Sequence, residues 1–415
     1  MSRYDPPKKK NRMGMNERIV VLAATLVIAL TSACASVPKR QPLPETLAHK
    51  ASVPGGEMAR QWGDMEPVWA DKWFAMSQED TRELLGGIMG RRHYYLAVSG
   101  GGANGAYGAG LLCGWTDAGT RPEFTLVTGI STGALIAPFA FLGPDYDHVL
   151  RTFYTSTSTV DVVKKRSILN ILTSDAAASS KPLQGLIAQV FTQEVMEAVA
   201  AEHRKGRRLL IGTTNMDANR PVSWNIGFIA NSGDPRSLEL IRQVLLASAS
   251  IPGAFPPVLI EVEADGRMYD EMHVDGGATA QVFVYPAGID WEQVLGKLEV
   301  PEMPDLYVIR NSIMDPRYEE VKNKIFDIIG RSVSSMIRTQ GIGNIFEIYL
   351  MAKRDGLDYH LAYIPGSFKE EPREEFDPVY MKNLFDLAYE SAKNGFSWQK
   401  APPGYDVEAE LDLGD

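Results

Sequence analysis

Three short stretches of this chain hold residues whose types and spacing suit acyl-transfer chemistry. Gly129-Ile130-Ser131-Thr132-Gly133 is a Gly-x-Ser-x-Gly pentapeptide between an apolar run and a small-residue helical pattern. A serine hydroxyl becomes a useful nucleophile where a sharp strand-to-helix turn lifts it clear of the backbone, and flanking glycines permit that close approach. The amide end of the following helix then favours negative charge developing at the site. Ser99-Gly100-Gly101-Gly102 comes one βα unit earlier, and three consecutive glycines let backbone N–H groups converge on an oxyanion. His273-Val274-Asp275-Gly276-Gly277 ends an extended segment, which makes Asp275 a candidate to take a serine proton directly.

Each stretch also has a plain structural reading. Ser131 serves as well as the cap of a tight βα turn, and Asp275 as an ordinary turn aspartate. Gly100-x-Gly102-x-x-Gly105 matches the dinucleotide-binding fingerprint in form. That fingerprint wants an acidic residue about 20 positions on, at the end of the second strand. Here the second strand ends in Gly129, with Ser131 just beyond. No Gly-Lys-Ser/Thr follows the glycines, so this is not a P-loop.

Six histidines are present: His49, His93, His148, His203, His273 and His360. Asp275 followed by His360 satisfies the chain order of an α/β-hydrolase triad. His360, however, lies in an alternating pattern that reads as strand, where a triad wants a loop. His273 stands two residues before Asp275, on the same strand face, where it is placed to tune the carboxylate. No His, Cys and Asp cluster has ligand spacing, so neither metal nor cofactor is expected.

The elements that position these residues follow from apolar periodicity. Tyr94–Ser99 is a short apolar run ended by glycines, Ala103–Ala118 a small-residue helix, and Phe124–Thr128 a second strand running into the serine turn. Strand, glycine loop, helix, strand, turn, helix is the opening of a parallel, doubly wound α/β sheet. Ser77 is a plausible N-cap for a helix before it. Pro182–Ala201 reads as helix, Arg208–Thr214 as a buried strand with Pro221–Ile226 as its antiparallel partner, and Leu238–Ala249 as helix. Leu259–Val262 and Met268–Val274 flank an Asp265-Gly266 turn as a hairpin. Asp305–Arg310 and Tyr359–Ile364 read as strands, and Met381–Asn394 as a final helix. A long helix over Arg331–Arg354 carries Gly341 and Gly343 as an expected break.

The ordered set Gly-Gly-Gly-x-x-Gly, Gly-x-Ser-x-Gly and Asp-Gly-Gly resembles the patatin-like phospholipase family. A fourth block, Ala247-Ser248-Ala249-Ser250-Ile251-Pro252-Gly253-Ala254-Phe255-Pro256-Pro257, is similar to the family's segment before the aspartate motif. The resemblance covers residues 94 to about 286. It implies a three-layer α/β/α fold with a mainly parallel central sheet, and hydrolysis of phospholipid or other lipid acyl esters by a Ser–Asp dyad without histidine. It makes Ser131 the nucleophile, Asp275 the base, and the Gly100–Gly102 loop the oxyanion hole, with the Gly101 and Gly102 amides the favoured donors. Asn104 stands where the family often has Arg or Lys. An acyltransferase using the same acyl-enzyme, or a silent envelope scaffold, are the competing functions. Reactivity towards a fluorophosphonate separates the scaffold from the enzymes, and product analysis with an alcohol acceptor separates the enzymes from each other.

The first 34 residues have a different character. Arg3, Lys8, Lys9, Lys10, Arg12 and Arg18 precede an apolar run over Ile19–Leu30, which ends in Thr31-Ser32-Ala33-Cys34. A run of twelve residues, eleven of them apolar, is short of the ~20 that span a bilayer. The pattern is that of a secretory signal whose ending resembles a bacterial lipobox, with Cys34 as the lipidated residue. Ala35 after it resembles lipoproteins sorted to the outer membrane, which gives a lipid-anchored protein facing the periplasm. Segment 1–33 holds six basic and two acidic residues, so its removal takes the net charge from -10 to -14. That acidity disfavours nucleic acid as a partner; a membrane lipid substrate is what the resemblance to the patatin-like phospholipases implies. Cys113 is the other cysteine, read as a small buried residue; with Cys34 acylated no disulfide forms. The expected organisation is 1–34 signal, 35–75 tether and N-terminal extension, 76–300 catalytic domain, and 301–415 a mostly helical C-terminal extension packed on the core.

Overall fold

The computed structural model describes residues 40–165 and 176–405. The stretch read as a signal, with Cys34, and the acidic residues 406–415 lie outside the described residues. From Pro42 onward the described residues form one compact unit. Its central sheet has nine strands, β1 (Arg60–Trp62), β2 (Tyr94–Val98), β3 (Leu126–Ile130), β4 (Arg208–Asn215), β5 (Arg220–Asn225), β6 (Val258–Ala264), β7 (Arg267–Asp275), β8 (Asp305–Ile313) and β9 (Asp358–Ile364). Their order is β1-β5-β4-β3-β2-β8-β9, with β7 paired to both β4 and β6. Strands β4, β3, β2, β8 and β9 are mutually parallel, and the β1, β5, β6 and β7 pairings are antiparallel.

Burial on both faces explains why the parallel strands read as unbroken apolar runs rather than alternating ones. Leu96 and Val98 of β2, with Tyr307 and Ile309 of β8, join one apolar cluster. Tyr95 and Ala97, with Leu306 and Val308, join another on the opposite face. Helices α2 (Gly105–Asp117), α3 (Thr132–Leu142), α4 (Ser237–Ser248) and α6 (Pro378–Lys393) pack on the first face, and α5 (Ile325–Arg354) on the second. The result is the expected three-layer α/β/α fold with a mostly parallel sheet. Ahead of it, α1 (Gln78–Leu85) is the helix whose N-cap the sequence predicts at Ser77, and the Ser77 hydroxyl accepts from the Asp80 amide at 3.0 Å.

Three expectations change. Residues 301–415 are more than a packed-on extension, because β8 lies between β2 and β9 inside the sheet. Helix α5 runs unbroken through Gly341 and Gly343, starting at Ile325. Gly341 is there for space: a Cβ at that position would come within 2.1 Å of the buried Arg310 guanidinium. The Pro182–Ala201 helix is two helices, Lys181–Val190 and Gln193–Arg204. The hairpin turn is as read, with Asp265 at φ 49° and Gly266 at φ 72°, the doubly left-handed turn that suits a twisted hairpin.

Candidate active site

Strand register brings Ser131 and Asp275 together from opposite directions. Ile130, the last residue of β3, pairs with Gly212 of β4. One residue further along β4, Thr213 pairs with Asp275, the last residue of β7. Thr213 faces β5 on its other side through Val222, so β7 takes the place beside β4 that β3 has just vacated. The two strands therefore end head to head, and the residues at their tips are Ser131 and Asp275.

Ser131 holds φ 56° and ψ -124°, a conformation that non-glycine residues avoid. Such strain costs on the order of 1–3 kcal/mol and persists only where surrounding contacts enforce it. The enforcing contacts are visible. A Cβ at Gly129 would approach the Gly133 carbonyl oxygen to 2.3 Å, and one at Gly133 would approach the Val98 carbonyl oxygen to 2.2 Å. The Ser131 amide donates to Ser248 Oγ at 3.0 Å, and that hydroxyl donates to the Gly212 carbonyl at 2.6 Å. Ser250, two residues on, accepts from the Asp275 amide through its carbonyl at 2.9 Å. The Ala247–Pro257 block thus ties down the backbones of both candidate residues from the end of α4. Gly276 serves the same packing, since a Cβ there would meet the Gly212 carbonyl oxygen at 2.6 Å.

Asp275 is buried. Burial pushes its carboxyl up to about 7, and hydrogen bonds from the Gly277 amide (2.7 Å) and the Ser131 hydroxyl moderate the rise. Its second oxygen, Oδ2, is buried without a partner in full hydrogen-bonding geometry. A desolvated carboxylate with one satisfied and one unsatisfied oxygen, beside a serine hydroxyl, is equipped to accept a proton near neutral pH.

The glycine loop divides by role. The Gly100 amide donates to the Gln281 carbonyl at 3.0 Å, so it is committed to structure and is not free to hold an oxyanion. The amides of Gly101 and Gly102 make no hydrogen bond among the described residues, and a Cβ at Gly100 would come within 3.1 Å of the Ser131 Cβ. Asn311 of β8 holds this loop. Its Nδ2 donates to the Ser99 carbonyl (2.9 Å), its amide donates to Ser99 Oγ (2.9 Å), and its Oδ1 accepts from the Gly108 amide in α2 (3.0 Å). Asn311 is fully buried, and a Cβ at Gly101 would strike its carbonyl oxygen at 2.3 Å. Gln281 links the loops on the other side, donating from Nε2 to the Gly277 carbonyl at 2.7 Å and to Gln340 of α5 at 2.9 Å. Asn311 and Gln281 escaped the sequence reading. A polar residue following the Asp305–Arg310 apolar run is a weak signal until its partners are known.

The other candidates lie elsewhere. His273 is buried against Glu271 (3.1 Å) and Thr213 Oγ1 (2.9 Å), and Glu271 in turn binds Arg60 at 2.7 Å. Burial lowers the His273 pKa, so this imidazole belongs to a structural network. His360 pairs with Tyr307 of β8, which pairs with Leu96 of β2, which pairs with Val127 of β3, four residues before Ser131. That places it roughly 13 Å back along the strands and about 14 Å across the sheet from Ser131. There it sits with Asp305 and Asp358, the one group of ligand-type side chains among the described residues. Arg92 and Lys400 already pair with those carboxylates at 2.9 and 2.7 Å. Asn104 accepts from the Tyr380 hydroxyl at 2.7 Å, so the position where the family often carries a cation here joins the loop to α6. Cys113 is buried in α2 with its thiol pushed up to about 12, chiefly by burial, which fits an inert residue.

Residues 96–287 match the patatin-like phospholipase family. That span is a patatin-like phospholipase domain, and the family as a whole is one of lipid acyl hydrolases. None of the curated proteins compared with the chain matches it. Among solved structures it is similar to VipD from Legionella pneumophila, at 14% identity over 73% of this chain and 67% of that one, with a TM-score of 0.31. A likeness at that level says nothing about the site.

Proposed function

We propose that the protein cleaves phospholipid or related lipid acyl esters through an acyl-enzyme on Ser131. Asp275 takes the Ser131 proton as Oγ attacks the acyl carbonyl, and the Gly101 and Gly102 amides receive the oxyanion. Collapse of the tetrahedral intermediate breaks the ester C–O bond, and the leaving alkoxide takes the proton back from Asp275. Water then attacks the acyl-enzyme with Asp275 again as base, releasing fatty acid and restoring the Ser131 hydroxyl. The observation that carries this reading is the meeting of a strained serine with a desolvated carboxylate whose Oδ2 lacks a partner.

The same reading makes Cys34 a lipid anchor that holds the enzyme at the periplasmic face of the outer membrane. A single chain of myristoyl length binds membranes only marginally, so durable attachment needs a second chain or a second contact. The test is labelling with a fluorophosphonate, followed by product analysis on phospholipid vesicles. Labelling at Ser131 with release of fatty acid is the expected result. Absence of labelling in folded protein rejects the enzyme, and acyl transfer to an added alcohol in preference to water replaces hydrolase with acyltransferase.

A further inference from the structure

We infer that the first half of α5 is a bilayer-docking surface that presents the active site to membrane lipid; the choice of a bilayer rests on the function proposed above. Ile325, Ile328, Ile329, Val333, Met336 and Ile337 are each 40–70% exposed. At about 100° per residue these six fall within one half of the helix circumference. So dense an exposed apolar stripe is unusual on a soluble surface and marks an interaction site. The second half of the helix is different: Ile345, Ile348, Tyr349 and Ala352 are buried against the sheet and anchor it.

The stripe leads to the site. Gln340 and Asn344 continue on the same half of the circumference, and both bind Gln281, Gln340 through its Oε1 and Asn344 through its Oδ1. Gln281 is the residue that accepts from Gly100 and donates to Gly277. One surface seated on the stripe therefore lies next to the glycine loop and the Asp275 turn.

Charge and length select the occupant. From Lys322 to Asn344 the chain carries Lys322, Lys324, Arg331 and Arg338 against Asp327, a local excess of cations in a molecule of net charge -10. Glu319 and Glu320 stand just ahead, with Glu319 paired to Arg331 at 3.0 Å. An apolar face flanked by lysines and arginines is the pattern of a helix lying in the interface of an anionic membrane. Among the described residues no helix is long and apolar enough to cross a membrane, which fits a helix that lies on the surface.

The experiment is vesicle co-sedimentation of the full chain carrying Ser131→Ala, to prevent turnover, and Cys34→Ser, to remove any acyl anchor. Vesicles of phosphatidylglycerol with phosphatidylethanolamine are compared with pure phosphatidylcholine. Binding is expected to be tighter on the anionic vesicles and to fall at least tenfold in Val333→Lys/Met336→Lys. Val160→Lys, an exposed apolar position on another element, is the control and keeps full binding. Circular dichroism melts verify that each variant is folded. Unchanged binding in the double variant overturns the proposal. So does a dimer in solution that the double variant dissociates, which makes the stripe an interface between two copies. Because Ser131→Ala is present throughout, binding is read independently of hydrolysis, and failure of the enzymatic reading shows separately as absent fluorophosphonate labelling of the wild type.

Discussion

At the scale of single residues, the site turns on how burial sets the proton affinity of Asp275. A carboxylate at its ordinary pKa is ionised at neutral pH but is a feeble base. Burial moves Asp275 up to about 7, so near neutrality it is both substantially ionised and basic enough to draw on a serine proton. Ester hydrolysis is therefore expected to rise as pH increases through about 7 and to level off above it. Asp275→Asn should lower the rate roughly 10²–10⁴-fold and abolish that pH dependence. Ser131→Ala should remove hydrolysis altogether, while His360→Gln, far down the sheet, should leave the rate within a few-fold. Steady-state rates on a short-chain nitrophenyl ester across pH 5–9 decide this; a His360→Gln protein as inactive as Ser131→Ala would transfer the base to a histidine. The same burial has a consequence for stability. A carboxyl whose folded pKa lies above its unfolded value favours folding only while protonated, so its contribution turns unfavourable as pH rises from about 4 to 7. The gap from 3.8 to about 7 corresponds to at most roughly 4 kcal/mol above pH 7. Asp275→Asn is expected to melt at a higher temperature than wild type at pH 8, with the difference vanishing near pH 4. Equal melting temperatures at pH 8 would show that the carboxylate is not desolvated.

Among the elements, the loops matter less than what clamps them. Asn311 on β8 fixes the Gly100–Gly102 loop with three hydrogen bonds, although it lies far beyond the glycine, serine and aspartate motifs in sequence. Replacing it with leucine strands the Ser99 carbonyl and the Gly108 amide, each a buried group worth ~1–3 kcal/mol when left unpaired. The expected outcome for Asn311→Leu is a large fall in kcat with little change in KM, since an oxyanion hole acts chiefly on the transition state. Asn311→Asp, which keeps the acceptor for Gly108 but not the donor to Ser99, should fall between the two. A drop in KM performance alone would assign Asn311 to substrate binding. This division explains what was legible beforehand. Gly129, Ser131, Gly133, Asp275 and Gly276 announce themselves because their local geometry admits few other residues. Gln281 and Asn311 act through partners that only the tertiary fold supplies, and their types alone carry no message. Gly341 misled for the same reason. Alone in a helical pattern it signals a break, yet it is there because the Arg310 guanidinium occupies the space of a side chain.

For the molecule as a whole, the glycine, serine and aspartate motifs and the structural frame do not share boundaries. The family match ends at residue 287, and both β8 and β9 lie beyond it. Individually these strands were readable from their apolar runs; their place in the sheet was not, because strand order depends on connections that local periodicity does not encode. β8 pairs along the whole length of β2, from Tyr94 to Val98, and carries Asn311. Helix α6 closes the other layer by lying directly on α2: Cβ atoms at Gly110 and Gly114 would come within 2.2 Å of the Phe385 and Tyr389 carbonyl oxygens. A chain ending at residue 300 loses both contacts. It bares the full hydrogen-bonding edge of β2, which invites pairing between chains. It also uncovers the apolar faces that Leu384, Phe385 and Ile348 bury, at about 25 cal/mol for every Å² exposed. Against a typical net stability of 5–15 kcal/mol, such losses are not survivable. The expected outcome is that residues 42–300 express as insoluble protein without a cooperative melt, whereas residues 42–405 give a soluble, fluorophosphonate-reactive enzyme. A soluble and reactive 42–300 fragment would make the C-terminal segment an accessory after all, and would move the clamp on the glycine loop from Asn311 to residues within the family-matched span.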